Sequence, residues 1–393
     1  MLTPAEAAAA IDARVAPLAA ETSVLAAAAG RVLREALAAE RDQPPFDRVA
    51  MDGIAIASHA ATHGRRMFRI AGIVAAGAEP QPLPGVDCCL EVMTGAMLPA
   101  GADTVIPVEL LGIAGGTATL ADAARPATGD NVHRRGTDAR AGDLALAAGT
   151  RLRGPELAVA ASAGRGALQV SPHPRIAIIS TGDELVGPDV PLAPWQIRRS
   201  NALGIAATLV AHGYHELEDL HLRDDPADIR SALATALEGR DALVLSGGVS
   251  AGRFDHVPAV LASLGVEQVF HKVAQRPGKP LWFGIAPGGK PVFALPGNPV
   301  STLVCLVRYV LAGLARLEGA TPPPVLYATL GEDYDARPGL TAFIPVDLDG
   351  ARVRLHPTHG SGDFTALTGT AGFVELSPGR RHQAGEAVPF YTW

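Results

Sequence analysis

The stretch ALVLSGGVSAGRFDH, residues 242–256, and its counterpart VFALPGNPVS, residues 292–301, decide how this chain reads. Each is a short apolar run ending in a glycine-rich turn, the pattern of a buried strand that delivers a loop at its carboxyl end. Ligands of open α/β sheets sit at those ends. Between the two loops lie His271, Lys272, Arg276 and Lys279, a basic cluster in a chain whose net charge is −7. Two glycine-rich turns with cations between them point to an anionic small molecule. SGGVSAG lacks the Gly-Lys-Ser/Thr ending of a Walker A loop and is not GxGxxG. Its serines and backbone N–H groups are therefore the phosphate-binding candidates.

Working outward, RIAIIS at 175–180 is a further buried-strand pattern, followed by TGDEL at 181–185. Asn201 is expected to cap a helix closed by Gly213, and Asp225 to cap another that opens with Pro226. From Pro299 a long helix is expected, because Val300, Leu303, Val304, Val307, Leu311, Leu314 and Leu317 recur at three- and four-residue steps. Alternating β and α elements imply a three-layer domain with a largely parallel sheet and helices on both faces. Carboxylates fall at the predicted strand ends: Asp183 and Glu184, Asp224 and Asp225, and Asp255 in the glycine loop. That is what a magnesium-dependent phosphate chemistry needs, since Mg²⁺ takes few protein carboxylates and shares its shell with phosphate oxygens. Asp225 reads as a helix cap and Asp183 as a turn residue, whereas Glu184 and Asp255 are poorly placed to cap anything.

The flanks differ in character. Thr3-Pro-Ala-Glu6 is a capping box opening an alanine-rich helix, and a second helix is expected from Ser23 to about Glu40. Residues 42–138 carry Gly/Pro punctuation between short runs and read as a small β module inserted into a helical domain. A helix is expected again from Leu152 to about Ala163. After TPPP at 321–324, short alternating runs read as a β-barrel or sandwich. The expected domains are 1–41 with 139–172 (elongated, helical), 42–138 (inserted, mainly β), 173–320 (α/β) and 321–393 (β-barrel).

Composition narrows the function. No basic run exceeds two residues, which argues against a nucleic-acid footprint. Cys88, Cys89 and Cys305 match neither a zinc spacing nor a disulfide framework, and His212, His215 and His221 lack partners at ligand spacing. No signal peptide is visible, and the most apolar helix is interrupted by Arg308 and Arg316, so no membrane span is expected. A cytoplasmic protein is the expectation.

Taken together, FDRVAMDG (46–53), MTGA (93–96), STGDEL (180–185), the Ser-Asn opening at 200–201, LRDD (222–225), SGGVSAGRFDH, RPGKP (276–280) and LPGNPVS resemble, in order, the MoeA-type molybdopterin molybdenumtransferases and the E domain of gephyrin. The resemblance spans nearly the whole chain. It implies a homodimer of four-domain subunits that inserts molybdenum from molybdate into adenylated molybdopterin and releases AMP with Mg²⁺. Molybdopterin adenylyltransferase and apo-molybdoenzymes or their chaperones are the implied partners.

Carried over by position, Asp52, Glu184, Asp224 and Asp255 are the implied catalytic residues, with Asp224, Asp255 and Glu184 toward the metal. Thr94, Ser180, Thr181, Gly182, Pro296, Pro299 and Ser361 fall at implied substrate positions. Gly247, Gly248 and Ser250 would cradle the pterin phosphate, and Lys272, Arg276 and Lys279 would contact the anion. Because Asp52, Thr94 and Ser361 lie outside the α/β domain, completing the pocket is expected to draw on a second subunit. Three departures stand out. Arg276 replaces a common lysine, Arg199 replaces an acidic or amide residue, and Gly339-Leu340-Thr341-Ala342 stands where an arginine is expected. These keep open a non-catalytic carrier or scaffold, or a divergent paralogue serving one molybdoenzyme class.

Overall fold

The computed structural model describes residues 1–248 and 256–393. The chain divides into two compact units. One comprises Met1–Glu35, Ala148–Gly154 and Ala167–Trp393; the other comprises Ala36–Ala147 and Pro155–Gly166.

The first unit is built on an α/β domain. Its elements are β1 (Ile176–Thr181), α1 (Ser200–Ala211), β2 (Leu217–Leu222), α2 (Pro226–Gly239), β3 (Ala242–Ser246), α3 (Val257–Ser263), β4 (Glu267–His271), β5 (Trp282–Ala286), β6 (Lys290–Leu295) and α4 (Pro299–Cys305). The strands run in the order β2-β1-β3-β6-β5-β4. The first four are parallel, and β5 and β4 join antiparallel.

Every residue of β1 and β3 is buried, as strands sandwiched between helical layers must be. Alternation sends Ile176, Ile178 and Val244 into one core with Ile205 and Leu209 of α1. Ala177, Ile179, Leu243 and Leu245 enter the other, with Ile229 and Leu233 of α2 and Leu261 of α3.

Asp225 caps α2 as expected, its carboxylate accepting from the N–H groups of Ala227 and Asp228 at 2.8 and 3.0 Å. Helix α4 continues through a π-turn (Leu306–Val310) and the helix Leu311–Glu318, and Gly319 stops it in the left-handed conformation at φ +72°. Over Pro299–Glu318 this helix is long and apolar enough to cross a membrane, yet 61% of its most apolar window is buried inside the protein. Cys305, Leu306, Tyr309, Val310, Leu314 and Leu317 pack into the α/β core.

The carboxyl-terminal part is a closed five-strand barrel. Thr341–Asp349 pairs with Arg352–Leu355, which pairs with Leu326–Leu330, then Ala387–Thr392, then Gly372–Leu376, and this last returns to Thr341–Asp349. Closure removes the sheet edges. Val300 and Val304 of α4 pack against Phe343 and Phe373 of the barrel. Arg308 spans the same seam, 3.0 Å from the Glu375 carboxylate and over the Tyr391 ring.

The amino-terminal region corrects the sequence expectation. The capping box and the helix Pro4–Arg14 form as read, but the second helix does not. Glu21–Val24 is instead a strand paired antiparallel with Ala167–Val170, followed by a single 3-10 turn at Leu25–Ala27. Gly30 turns the chain at φ +78°, and Val32 and Leu33 are fully buried. Alanine is the best helix former, but intrinsic propensity is worth only about 0–1 kcal/mol per residue, and strand pairing plus burial outweighs it here. The helix expected from Leu152 is present as Gly154–Ser162.

In the other unit a six-stranded sheet runs Thr104–Pro107, Gly53–Ile56, Cys88–Val92, Met67–Val74, Thr117–Leu120, Leu111–Ala114. Gly53 is obligatory there, because a β-carbon would lie 1.9 Å from the Ile106 carbonyl oxygen of the neighbouring strand.

Candidate functional site

The carboxyl edge of the parallel strands gathers most of the expected residues. Strand β1 ends in Ser180 and Thr181, both buried. Gly182 follows at φ +143°, a conformation L side chains rarely adopt, and the Glu184 carboxylate folds back over it. The Gly182 N–H donates to Leu222 O at 3.3 Å, which draws the end of β2 alongside. The Asp224 N–H donates to the Asp183 carboxylate at 3.4 Å. Asp183 and Glu184 are thereby exposed beside Asp224 at the rim.

Strand β3 ends in Ser246 and turns through Gly247 (φ +96°) and Gly248 (φ +69°). Both glycines are required. A β-carbon on Gly248 would sit 2.7 Å from Val257 Cγ2 and 2.9 Å from Thr181 Oγ1, and both conformations disfavour any other residue. Ser250 and Asp255 lie outside the described residues.

The second loop lies directly against the first. The Gly247 N–H donates to Leu295 O at 3.2 Å. Asn201 was expected to cap α1 but does not, and no side chain caps that helix. Its amide instead donates to Ser246 Oγ at 2.9 Å and to Gly297 O at 2.7 Å, fastening the two glycine-rich loops together. Buried Pro296 carries an acceptor for Thr302 Oγ1 at 2.6 Å, and Pro299 opens α4.

Ser361 reaches this place within the same chain. Its hydroxyl accepts from Asn298 Nδ2 at 2.7 Å and its carbonyl from the Val300 N–H at 3.0 Å. Barrel–helix packing brings it in. Asp363 braces its loop. The His359 N–H and ring and the Thr365 hydroxyl hold its carboxyl down to about 2.

The basic segment folds into a closed loop beside β5. The Lys272 N–H donates to Leu281 O and the Val273 N–H to Lys279 O, both at 2.9 Å. Lys272 itself adopts φ +74°, a left-handed conformation that costs a non-glycine residue about 1–2 kcal/mol and that clusters at functional positions. Arg276 and Lys279 are exposed.

A buried polar clip lies underneath. Fully buried Gln275 donates to Pro277 O at 3.1 Å and to Cys305 Sγ at 3.6 Å, and its carbonyl accepts from the Tyr309 hydroxyl. Gln275 and Arg276 also pair in parallel with Thr341 and Ala342 of the barrel, so Arg276 stands beside the position where an arginine was expected and is missing. Arg199 does not replace that missing cation. It is spent on an ion pair with Asp219 and a 3.2 Å bond to Ser180 Oγ.

In the other compact unit, Asp52 and Thr94 are partners: the Thr94 N–H and hydroxyl donate to one Asp52 carboxylate oxygen at 2.6 and 2.8 Å. The two bonds hold the Asp52 carboxyl below its ordinary range. Among the described residues, no three His, Cys, Asp or Glu side chains gather into a group that could hold a metal ion. Glu184 and Asp224 thus do not by themselves constitute a magnesium site.

Sequence reasoning missed Asn201 as a fastener and missed Gln275, Thr302 and Tyr309 altogether. The available signal was polar side chains set inside otherwise apolar strand and helix patterns.

Fold and site define a multidomain protein whose α/β domain presents a loop-built, cation-flanked sheet edge. Family models match most of the chain: the MoeA N-terminal region (domains I and II) at residues 2–164, a probable molybdopterin binding domain at 177–316, and the MoeA C-terminal region (domain IV) at 327–393. The molybdopterin molybdenumtransferase of Synechocystis sp. is 42% identical over 372 residues, 93% of each chain. That of Bacillus subtilis is 31% identical over 91% of this chain and 86% of its own. A solved molybdopterin biosynthesis MoeA protein from Pyrococcus horikoshii OT3 superposes over both full chains with a TM-score of 0.84 at 26% identity. The chain belongs to the MoeA family.

Proposed function

We propose that this protein is a transferase of molybdenum cofactor biosynthesis that inserts molybdenum from molybdate into adenylated molybdopterin: bonds to the dithiolene sulfurs replace a molybdate oxygen that leaves as water, and water cleaves the phosphoanhydride to release AMP. The observation that carries the reading is the fastening of the Gly247–Gly248 turn to the Pro296–Pro299 loop at the carboxyl end of β3 and β6. A turn without β-carbons, beside the small side chains of Ser180 and Thr181, lets an anion approach the backbone closely.

The chain's own groups divide the work. The Gly247–Gly248 turn with Ser180 and Thr181 receives the phosphate end of the pterin. Lys272, Arg276 and Lys279 supply positive charge for molybdate, and the closed loop that carries them fixes their spacing. Ser361 braces the Pro299 end. Mg²⁺ would neutralise phosphate charge when bound, with Asp224 and Asp255 as its donors. The described residues do not complete such a site by themselves.

Asp52 and Thr94 are assigned to substrate contact in a homodimer working in the cytoplasm. An adenylyltransferase would supply the substrate, and apo-molybdoenzymes or their chaperones would take the product.

The test is to supply purified protein with adenylated molybdopterin, molybdate and Mg²⁺ and to follow AMP. Stoichiometric AMP release that requires molybdate and falls at least about a hundredfold in Asp224→Asn supports the reading. Intact ligand binding without AMP release would instead make the protein a carrier.

A further inference from the structure

Two hydroxyls close the parallel strands beneath the glycine-rich turns. Ser180 and Ser246 are register partners on β1 and β3, both buried, at 2% and 3% exposure. Neighbouring strands stand about 4.8 Å apart, near enough for one phosphate group to meet both side chains. Both lie on the face that carries Ile178 and Val244 toward α1. The opening of α1 supplies each with an N–H. Arg199 Nε donates to Ser180 Oγ at 3.2 Å, and Asn201 Nδ2 to Ser246 Oγ at 2.9 Å.

Chemistry fixes the polarity of these bonds. A guanidinium and an amide NH₂ only donate, so each serine oxygen accepts and keeps its own proton. Among the described residues neither hydroxyl finds an acceptor for that proton. A hydroxyl donor held away from water and left unspent is costly, and it calls for an acceptor from outside the chain. An ionised phosphate oxygen can only accept. The Thr181 hydroxyl, on the other face of β1 and packed on Gly247 and Gly248, is also buried without a partner. Arg199 brings no net charge to this edge, because its guanidinium is paired with Asp219. Its contribution there is the Nε–H.

We propose that Arg199 is a positioning residue of this site: its Nε–H turns the Ser180 hydroxyl outward as a donor, as Asn201 turns Ser246, and the paired hydroxyls grip the phosphate end of the pterin substrate. This rests on the function proposed above, and it gives the Gly247–Gly248 end its side-chain donors. Holding a hydroxyl in one of its three staggered positions, and polarising it through the bond it accepts, is together worth about threefold to fivefold in affinity.

The test is the dissociation constant for adenylated molybdopterin on the full-length protein, by titration calorimetry, with thermal melts as a folding control. Ser180→Ala removes the donor itself and is expected to weaken binding about tenfold or more. Arg199→Leu removes the orienting N–H and is expected to weaken it about threefold to fivefold. Arg199→Gln separates the N–H from the charge, because its amide nitrogen stands at the same place along the side chain as Arg Nε. Affinity in that variant is expected to stay within about twofold of wild type. In the Ser180→Ala background Arg199→Leu is expected to cost less than about 1.5-fold, since no hydroxyl is left to orient. Equal losses in Arg199→Leu and Arg199→Gln would make Arg199 a source of charge. A Leu penalty undiminished in the Ser180→Ala background would make it a structural residue. Either result overturns the proposal, and so does wild-type affinity in Ser180→Ala, the measurement that decides if Arg199→Leu does not fold. Wild-type protein that fails to bind adenylated molybdopterin overturns the proposed function and this inference with it, whereas wild-type binding with any of those three results overturns the inference only.

Discussion

Replacing Tyr309 by Phe removes one oxygen atom from the interior and should be felt at the anion loop. The Tyr309 hydroxyl donates to Gln275 Oε1, and both residues are completely buried. The Gln275 amide cannot turn to compensate, because its Nε2 is needed by Pro277 O at 3.1 Å. The variant therefore strands a buried carbonyl, at a cost of about 1–3 kcal/mol. Gln275 is the floor of the loop carrying Lys272, Arg276 and Lys279, so the cost falls on local opening of that loop more than on the whole molecule. Hydrogen exchange at the Gln275 and Leu281 amides, which donate to Val273 O and Gly278 O, reads this directly. A loss of about 2 kcal/mol speeds their exchange about 30-fold. Molybdate affinity should fall in the same variant. Replacing Gln275 by Leu in the Tyr309→Phe background should not restore the protection, because it also removes the Nε2 donor to Pro277 O. Exchange rates within about twofold of wild type would refute the idea that the clip positions the loop.

Other outcomes follow from the same geometry. Gly248→Ala should abolish binding of adenylated molybdopterin in calorimetry, since its β-carbon meets the buried Val257 and Thr181 side chains in a backbone conformation unfavourable to alanine. Asp225→Ala loses the cap of α2 and should lower stability by about 1 kcal/mol, measured as an earlier denaturation midpoint with ligand binding retained. Asp363 has a folded pKa below its unfolded value. Its stabilisation of the Ser361 loop is therefore complete above the ordinary carboxylate range and is lost only as pH falls through about 2. Carboxyl NMR titration should find it ionised throughout the working range, and Asp363→Asn should loosen the loop at neutral pH. Thr94→Val removes one of the two bonds to Asp52, so the same titration should show the Asp52 carboxyl moving up toward its ordinary value.

The α/β domain was legible because its signals are local and mutually consistent. Apolar runs ended in glycine turns, Asp225 preceded Pro226, and the heptad-like spacing after Pro299 could only be a helix buried on one face. The motif order carried the rest of the fold. The region from Ser23 to Glu40 misled because its alanines favour helix, while its pairing partner at Ala167–Val170 lies far along the chain, where no local reading reaches it. The site was legible as a list of residues but not as a set of contacts. Asn201 at the start of a helix looks like a cap, and only the approach of Gly297 turns its amide elsewhere. Ser361 was recognisable as a loop serine, but its arrival beside Asn298 depends on Val300 and Val304 packing on Phe343 and Phe373, which no spacing encodes.

The pairing of Gln275 and Arg276 with Thr341 and Ala342 makes the anion loop an outer strand of the barrel as well as an appendage of the α/β sheet. A shift of the barrel would be felt at both ends of the site, at Arg276 through this pairing and at Asn298 and Val300 through Ser361. The barrel therefore holds the outer side of a loop whose own closure spaces its cations.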